Sequence, residues 1–186
     1  MTDEGERKRE ESLRVFSQAA TIYDRIGPGS FSHFGRRLVD LAEIEAGANV
    51  LDVAAGRGAL LFPAAARVGA NGHVTAIDFS PDMVRETAKD IESRKLNHAE
   101  IRQMDAEQMT FSDASFDRVV CGFALWMFAE PARNRLFSIR CSTTRSIWKF
   151  APRRSCRIFK KEKTHHRGHG STTLTTGDVR KKGSEL

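Results

Sequence analysis

Leu51-Asp52-Val53-Ala54-Ala55-Gly56-Arg57-Gly58 is the stretch on which the reading of this 186-residue chain turns. Asn49 to Ala55 is an apolar run of strand length broken by one acid, which predicts a short buried strand. Gly56-Arg57-Gly58 turns the chain. Ala59 to Val68, rich in Ala and Leu, predicts a helix in which Pro63 is tolerated only near the start. In that order the elements present a nucleotide-like ligand with the C-terminal tips of parallel strands. Gly56 and Gly58 would let a ligand approach the backbone and would permit the tight turn. An ordinary strand-to-helix turn also needs glycine, so only the surroundings separate the two readings.

Downstream the pattern repeats. Gly69 to Gly72 reads as a turn, and His73 to Asp78 as a second strand. Ser80 and Pro81 read as the N-cap and first position of a helix running to about Arg94. Ala99 to Met104 and Phe116 to Cys121 read as third and fourth strands. Strands alternating with helices of this length imply parallel β-α-β units. Upstream, Leu13 to Tyr23 has helical apolar spacing, Gly27 to Ser30 is a break, and a second amphipathic helix follows, ending at Gly47 in the C-cap position. Residues 1–12 read as a frayed, charged leader. No stretch is long and apolar enough for a membrane span, and no apolar core follows the charged N-terminus as a secretory signal would need. Cys121, Cys141 and Cys156 show no CxxC spacing, so neither a disulfide framework nor a zinc site is indicated, and a reducing cytoplasm is the default expectation.

The net charge of +6 hides an asymmetry. Residues 1–130 carry 15 basic and 21 acidic side chains, whereas residues 131–186 carry 15 basic and 3 acidic ones. A nucleic-acid partner is therefore conceivable only through the basic tail, and the aromatics interleaved with its basic clusters, Trp148, Phe150 and Phe159, do not support base stacking. His165, His166 and His169 lie in a low-complexity run, which reads as solvated and not as a metal site.

Acidic residues mark the chemistry of the body. Asp78 ends the second strand twenty residues after Gly58, where a carboxylate can accept both hydroxyls of a ribose. Asp105, just past the third strand, adds an acid at the same sheet edge. A nicotinamide dinucleotide would call for GxGxxG, but the third small position is Leu61. An aspartate before the glycines, Asp52, suits a ligand bearing an ammonium or sulfonium. Both points favour S-adenosylmethionine.

With these residues in view, 23–131 resembles the class I S-adenosylmethionine-dependent methyltransferases, nearest to the type 11 small-molecule branch that includes ubiquinone and menaquinone biosynthesis enzymes. VLDVAAGRG resembles that family's first motif, VTAIDFSPDMV its second, and MDAEQMTFSDASFDRVVCGFALWMF its third and fourth. The resemblance implies a Rossmann-like α/β fold, S-adenosyl-L-methionine as cofactor, and a small-molecule methyl acceptor. Carried over, it gives Asp52, Gly56 and Gly58 to the methionyl part, directly or through water, and Asp78 to the ribose. Phe79 and Met83 fall beside the adenine, Asp105 and Ala106 at its edge, and Phe123 in the cofactor wall. Met83 could equally be core, Asp105 a turn residue, and Phe123 partly structural. No residue is assigned a catalytic role. Tyr23 and His33, in helices that cover the substrate in that family, are candidates for a base. The methyl would move by in-line displacement, with the protein supplying alignment and water exclusion.

Two departures stand out. Arg57 replaces the usual Thr or Ser, and beside a sulfonium its side chain must turn away. After about Arg133 the family's helix, fifth strand and final hairpin are not recognisable, and the charge swings abruptly, as a shifted reading frame or alternative exon would produce. The expected organisation is therefore a helical cap over 1–45, a Rossmann-like domain over 46–133 with helices on both faces of a parallel sheet lacking its last strands, and a disordered basic tail over 134–186. An inactive or cofactor-binding-only fragment and a basic-tailed nucleic-acid binder are the alternatives.

Overall fold

The computed structural model describes residues 3–23, 29–124, 127–128, 147–150, 157–160 and 175–177. Four helices and seven strands occur there: α1 (Asp3–Ala19), α2 (Ser30–Leu41), β1 (Asn49–Val53), α3 (Leu61–Val68), β2 (His73–Asp78), α4 (Pro81–Ser93), β3 (Ala99–Gln103), β4 (Arg118–Gly122), β5 (Ile147–Phe150), β6 (Arg157–Lys160) and β7 (Thr175–Gly177). The sheet order is β3-β2-β1-β4-β5-β6-β7. β1 to β5 run parallel, and β6 and β7 are antiparallel additions. The chain steps from β1 outward to β3 and returns to place β4 on the other flank of β1. The crevice at this reversal is where open α/β sheets bind ligands.

Strand alternation sorts the core. Val50 of β1 and Val74 and Ala76 of β2 face one way, into a cluster with Leu38 and Val39 of α2, Leu61, Ala64 and Ala65 of α3, and Ile91 of α4. Leu51, Val53 and Ile77 face the other way, against Met109, Phe116, Val119 and Cys121. Each fully buried Leu or Val contributes roughly 1.5–3 kcal/mol. α2 thus shares one core with the sheet. Among the described residues α2, α3 and α4 pack on one face, and the β3–β4 connection packs on the other.

Three expectations are corrected. α1 begins at Asp3 and not near Leu13, because Glu, Arg and Lys are good helix formers even where no apolar stripe marks them. α2 ends at Leu41 with Ala42 as its cap. Gly47 (φ 81°) instead serves the turn into β1, its N–H donating to the Val68 carbonyl at 2.8 Å. The sheet is also not without later strands: the segments near Ser146–Phe150 and Cys156–Phe159, weak in sequence pattern, contain β5 and β6. The remainder of 134–186, with the three tail histidines and most of its basic clusters, lies outside the described residues, as does Gly27-Pro28. No helix among the described residues is long and apolar enough to cross a membrane.

Candidate functional site

A cleft of about 800 Å³ opens over the tips of β1, β2, β3 and β4. Gly56, Gly58, Asp78, Phe79, Met83, Asp105, Ala106 and Phe123 all border it. Eight of the nine residues singled out in the sequence are thereby brought to one place.

The glycine loop forms its floor. Gly56 and Gly58 have φ of 52° and 78°, in the left-handed region that costs glycine nothing. A Cβ on Gly58 would lie 2.6 Å from the Phe62 ring, whereas one on Gly56 would meet only Tyr23, at 3.9 Å. Gly56 is therefore open to the cleft, and Gly58 is small so that Phe62 can pack. The loop is held from outside: the Thr87 hydroxyl on α4 donates to the Gly56 carbonyl at 2.8 Å. α2 approaches so closely that a Cβ on Gly35 would lie 2.2 Å from the Ala59 carbonyl oxygen. Ala54 (φ 55°) and Phe123 (φ 65°) also adopt left-handed backbone, unusual for residues with a Cβ, at the ends of β1 and β4. Strain of that kind, of order 1–3 kcal/mol per residue, concentrates where a ligand must be met.

Asp78 stands at the centre. Its Oδ2 accepts the Gly56 N–H at 2.7 Å and its Oδ1 accepts the Ser80 N–H at 2.9 Å. A carboxylate has about four acceptor sites, so these bonds leave capacity for a ligand. Burial raises its pKa, opposed by the N–H groups of Ser80, Gly56 and Phe79. Ser80 caps α4 through Met83 N–H at 3.3 Å, with Pro81 at the first helical position, as its sequence predicts. Met83 is both buried core and a border of the cleft.

Asp52 is placed differently. It is wholly buried in β1, between Ala76 of β2 and Val120 of β4, and does not border the cleft. Neither carboxylate oxygen has a hydrogen-bond partner among the described residues. Burial drives its pKa well above the ordinary aspartate range, the charge of Asp78 adds to this, and the Leu61 N–H opposes it without forming a hydrogen bond. Direct contact with a ligand is not open in this conformation. Burial likewise pushes the Cys121 thiol up, with Asp52 adding to it, so Cys121 is no nucleophile.

Arg57 borders the cleft, and its guanidinium is taken up by partners within the chain. Its Nη1 donates to the Ala20 carbonyl and its Nη2 pairs with Asp90, both at 2.5 Å. Of the two candidate bases, Tyr23 borders the cleft and stacks on Phe31 with ring centroids 5.0 Å apart. His33 does not border it and packs edge-on to Phe34. Phe31 and Phe34 both reach Phe123, at 5.2 and 6.1 Å, so one wall is aromatic. Sequence reading missed Thr87, Gly35 and Arg9. Arg9 lies in the segment read as leader, yet it borders the cleft beside Phe79 and Asp105. No group of side chains able to hold a metal ion occurs among the described residues.

Glycine floor, strand-end acid and reversal of strand order define an α/β protein of the Rossmann-like methyltransferase type. Residues 50–144 match the family described as a methyltransferase domain, and the chain belongs to it. The match runs past Arg133, where the motif resemblance was expected to stop. The aklanonic acid methyltransferase of Streptomyces sp. strain C5 is 41% identical over 117 residues, 63% of this chain and 53% of that protein. The demethylmenaquinone methyltransferase of Listeria welshimeri is 32% identical over 124 residues, 64% of this chain and 52% of that protein. The chain spans about half the length of these curated relatives. In fold it is similar to a SAM-dependent methyltransferase from Aquifex aeolicus, with a TM-score of 0.62 at 20% identity over 82% of this chain and 77% of that one.

Proposed function

We propose that this chain binds S-adenosyl-L-methionine across the tips of β1, β2 and β3 and directs its methyl group to a small-molecule acceptor. The observation that carries this reading is Asp78. It is a half-buried acid at a strand tip, anchored to the glycine loop through Gly56 N–H, with acceptor capacity left facing an 800 Å³ cleft. A carboxylate partly withdrawn from water is costly unless something pairs with it.

The residues present fit the cofactor's parts. Asp78 would take the ribose hydroxyls, Phe79 and Met83 the adenine face, and Asp105 and Ala106 its edge. Gly56 and Gly58 would pass under the methionyl part, and Phe123 would close the wall. Asp52 would lie behind the loop, where a cation bound above it would favour its charged form and so oppose the rise in its pKa that burial causes. When bound, the cofactor would supply a methyl on a sulfonium sulfur, which an acceptor nucleophile would take in line as the carbon–sulfur bond breaks and S-adenosylhomocysteine leaves.

The chain's own work is alignment and exclusion of water. The aromatic wall of Tyr23, Phe31 and Phe123 offers an apolar surface on which an acceptor can lie. Tyr23 is the better placed of the two candidate bases, its ring lying over Gly56. An acceptor that is already anionic needs no base.

The deciding experiment is calorimetric titration of the full chain with S-adenosylmethionine, with Asp78→Ala beside it. Binding that is lost in the variant supports the reading. A folded wild-type chain that takes up no cofactor overturns it.

A further inference from the structure

The end of the cleft formed by Phe79 and Asp105 is occupied by the chain itself. Arg9, from the first turns of α1, lays its guanidinium over the Phe79 ring, 4.3 Å from the centroid. The same guanidinium pairs through Nη2 with Asp105 Oδ2. The other carboxylate oxygen, Oδ1, already accepts the Glu107 N–H at 2.9 Å, so Oδ2 is the one turned towards an incoming donor. Both partners are largely shielded, with side-chain exposures of 26% and 17%.

A guanidinium is planar, stacks on aromatic rings and presents N–H donors in its plane. Adenine has the same outline: a flat ring for stacking and an exocyclic amino group that donates to a carboxylate. Arg9 and an adenine cannot both hold that face of Phe79 and that oxygen of Asp105.

The same helix is tied down further along. Ser17 and Ser80 hydroxyls lie 2.9 Å apart, and Arg57 reaches the Ala20 carbonyl just past the helix end. From Arg9 to Ser17 is eight residues, roughly 12 Å of helix, so α1 lies along the cleft instead of touching it at one point. It packs on α4, the helix that begins beside Phe79.

We propose that α1 is a strap that latches the cofactor cleft, with Arg9 as a built-in stand-in for adenine that must leave before the cofactor can seat. This rests on the reading of the cleft as a nucleoside site. The strap makes the chain's apparent affinity lower than that of the open form by the fraction of molecules that are open. It also offers a control point: whatever draws α1 away raises cofactor affinity without touching the glycine loop.

The test is calorimetry of S-adenosylhomocysteine binding to the full chain as wild type, Arg9→Ala and Arg9→Lys, each checked for a cooperative melt. Hydrogen exchange over residues 3–19 is followed in parallel. The strap requires Arg9→Ala to bind about tenfold tighter than wild type, about 1.4 kcal/mol. Arg9→Lys, which keeps the charge but not the plane, is to fall between. Saturating ligand is to speed exchange in α1 of the wild type. Equal or weaker binding by Arg9→Ala, or protection of α1 on binding, overturns the strap and makes Arg9 a bystander or a cofactor contact. Absence of binding in all three folded proteins removes the nucleoside-site reading itself, and the strap with it.

Discussion

The two ends of the cleft are built in different ways. At the glycine loop, polar groups satisfy one another through the backbone: Asp78 accepts from Gly56 and Ser80, and Thr87 holds the Gly56 carbonyl. At Phe79 and Asp105 the closing contact is a long side chain arriving from 96 residues away. Backbone hydrogen bonds move only when the loop moves, whereas a side-chain pair is undone by a change of rotamer. A rigid floor beside a removable plug suits a site that must recognise one part of its ligand constantly and control access at another.

The largest effect that could break this comparison is expected from Asp78→Ala. Two charge-assisted acceptors are lost, and S-adenosylmethionine affinity should fall about 100-fold, roughly 2.7 kcal/mol. Equal affinity measured by calorimetry would remove Asp78 from the floor. Gly58→Ala comes next. Its Cβ would lie 2.6 Å from Phe62 at a φ of 78°, and overpacking plus backbone strain should cost about 2 kcal/mol of stability in denaturant unfolding. Gly56→Ala faces open space by comparison, so a larger loss there would show that the floor is held by conformation and not by packing.

Asp52 sharpens the comparison through pH. Its pKa is raised in the folded chain, so the fold retains a proton that the unfolded chain releases at about pH 4. Stability therefore falls as pH rises from there towards the raised value. Asp52→Asn should flatten that slope and melt higher than wild type at neutral pH, the residual slope belonging to Asp78, whose pKa is shifted the same way. Melting curves across pH with identical slopes for both proteins would show that the fold does not protonate Asp52. The smallest effect is expected from Thr87→Val, which removes one hydroxyl donor to the Gly56 carbonyl. A loss of about 0.5–1.5 kcal/mol in stability, with a modest weakening of cofactor binding, would place the loop under control of α4.

Much of the body is legible along the chain because its signals are local. β2 coincides with its apolar run, and Ser80-Pro81 opens α4 as written. The eight cleft residues cluster because they follow strand ends, and strand ends share one edge of a parallel sheet. The misreadings have a common cause. The charged start of α1 carries no periodicity to mark it, and Gly47 looks like a helix end although the chain needs a left-handed turn there. Asp52 reads as a ligand contact from its motif, yet the alternation of β1 carries it into the helix-facing layer beside Ala76 and Val120.

By itself, the order of residues determines the β-α-β alternation, the glycine turn and the line of acids at the strand tips, since each depends on forces acting over a few neighbouring residues. Only the tertiary structure decides that Gly35 must be small to admit Ala59, that Arg57 faces Ala20 and Asp90, and that Arg9 reaches Phe79 and Asp105. Those contacts join segments distant along the chain. Spacing says nothing about them, because they depend on which surfaces remain to be covered once the sheet has formed.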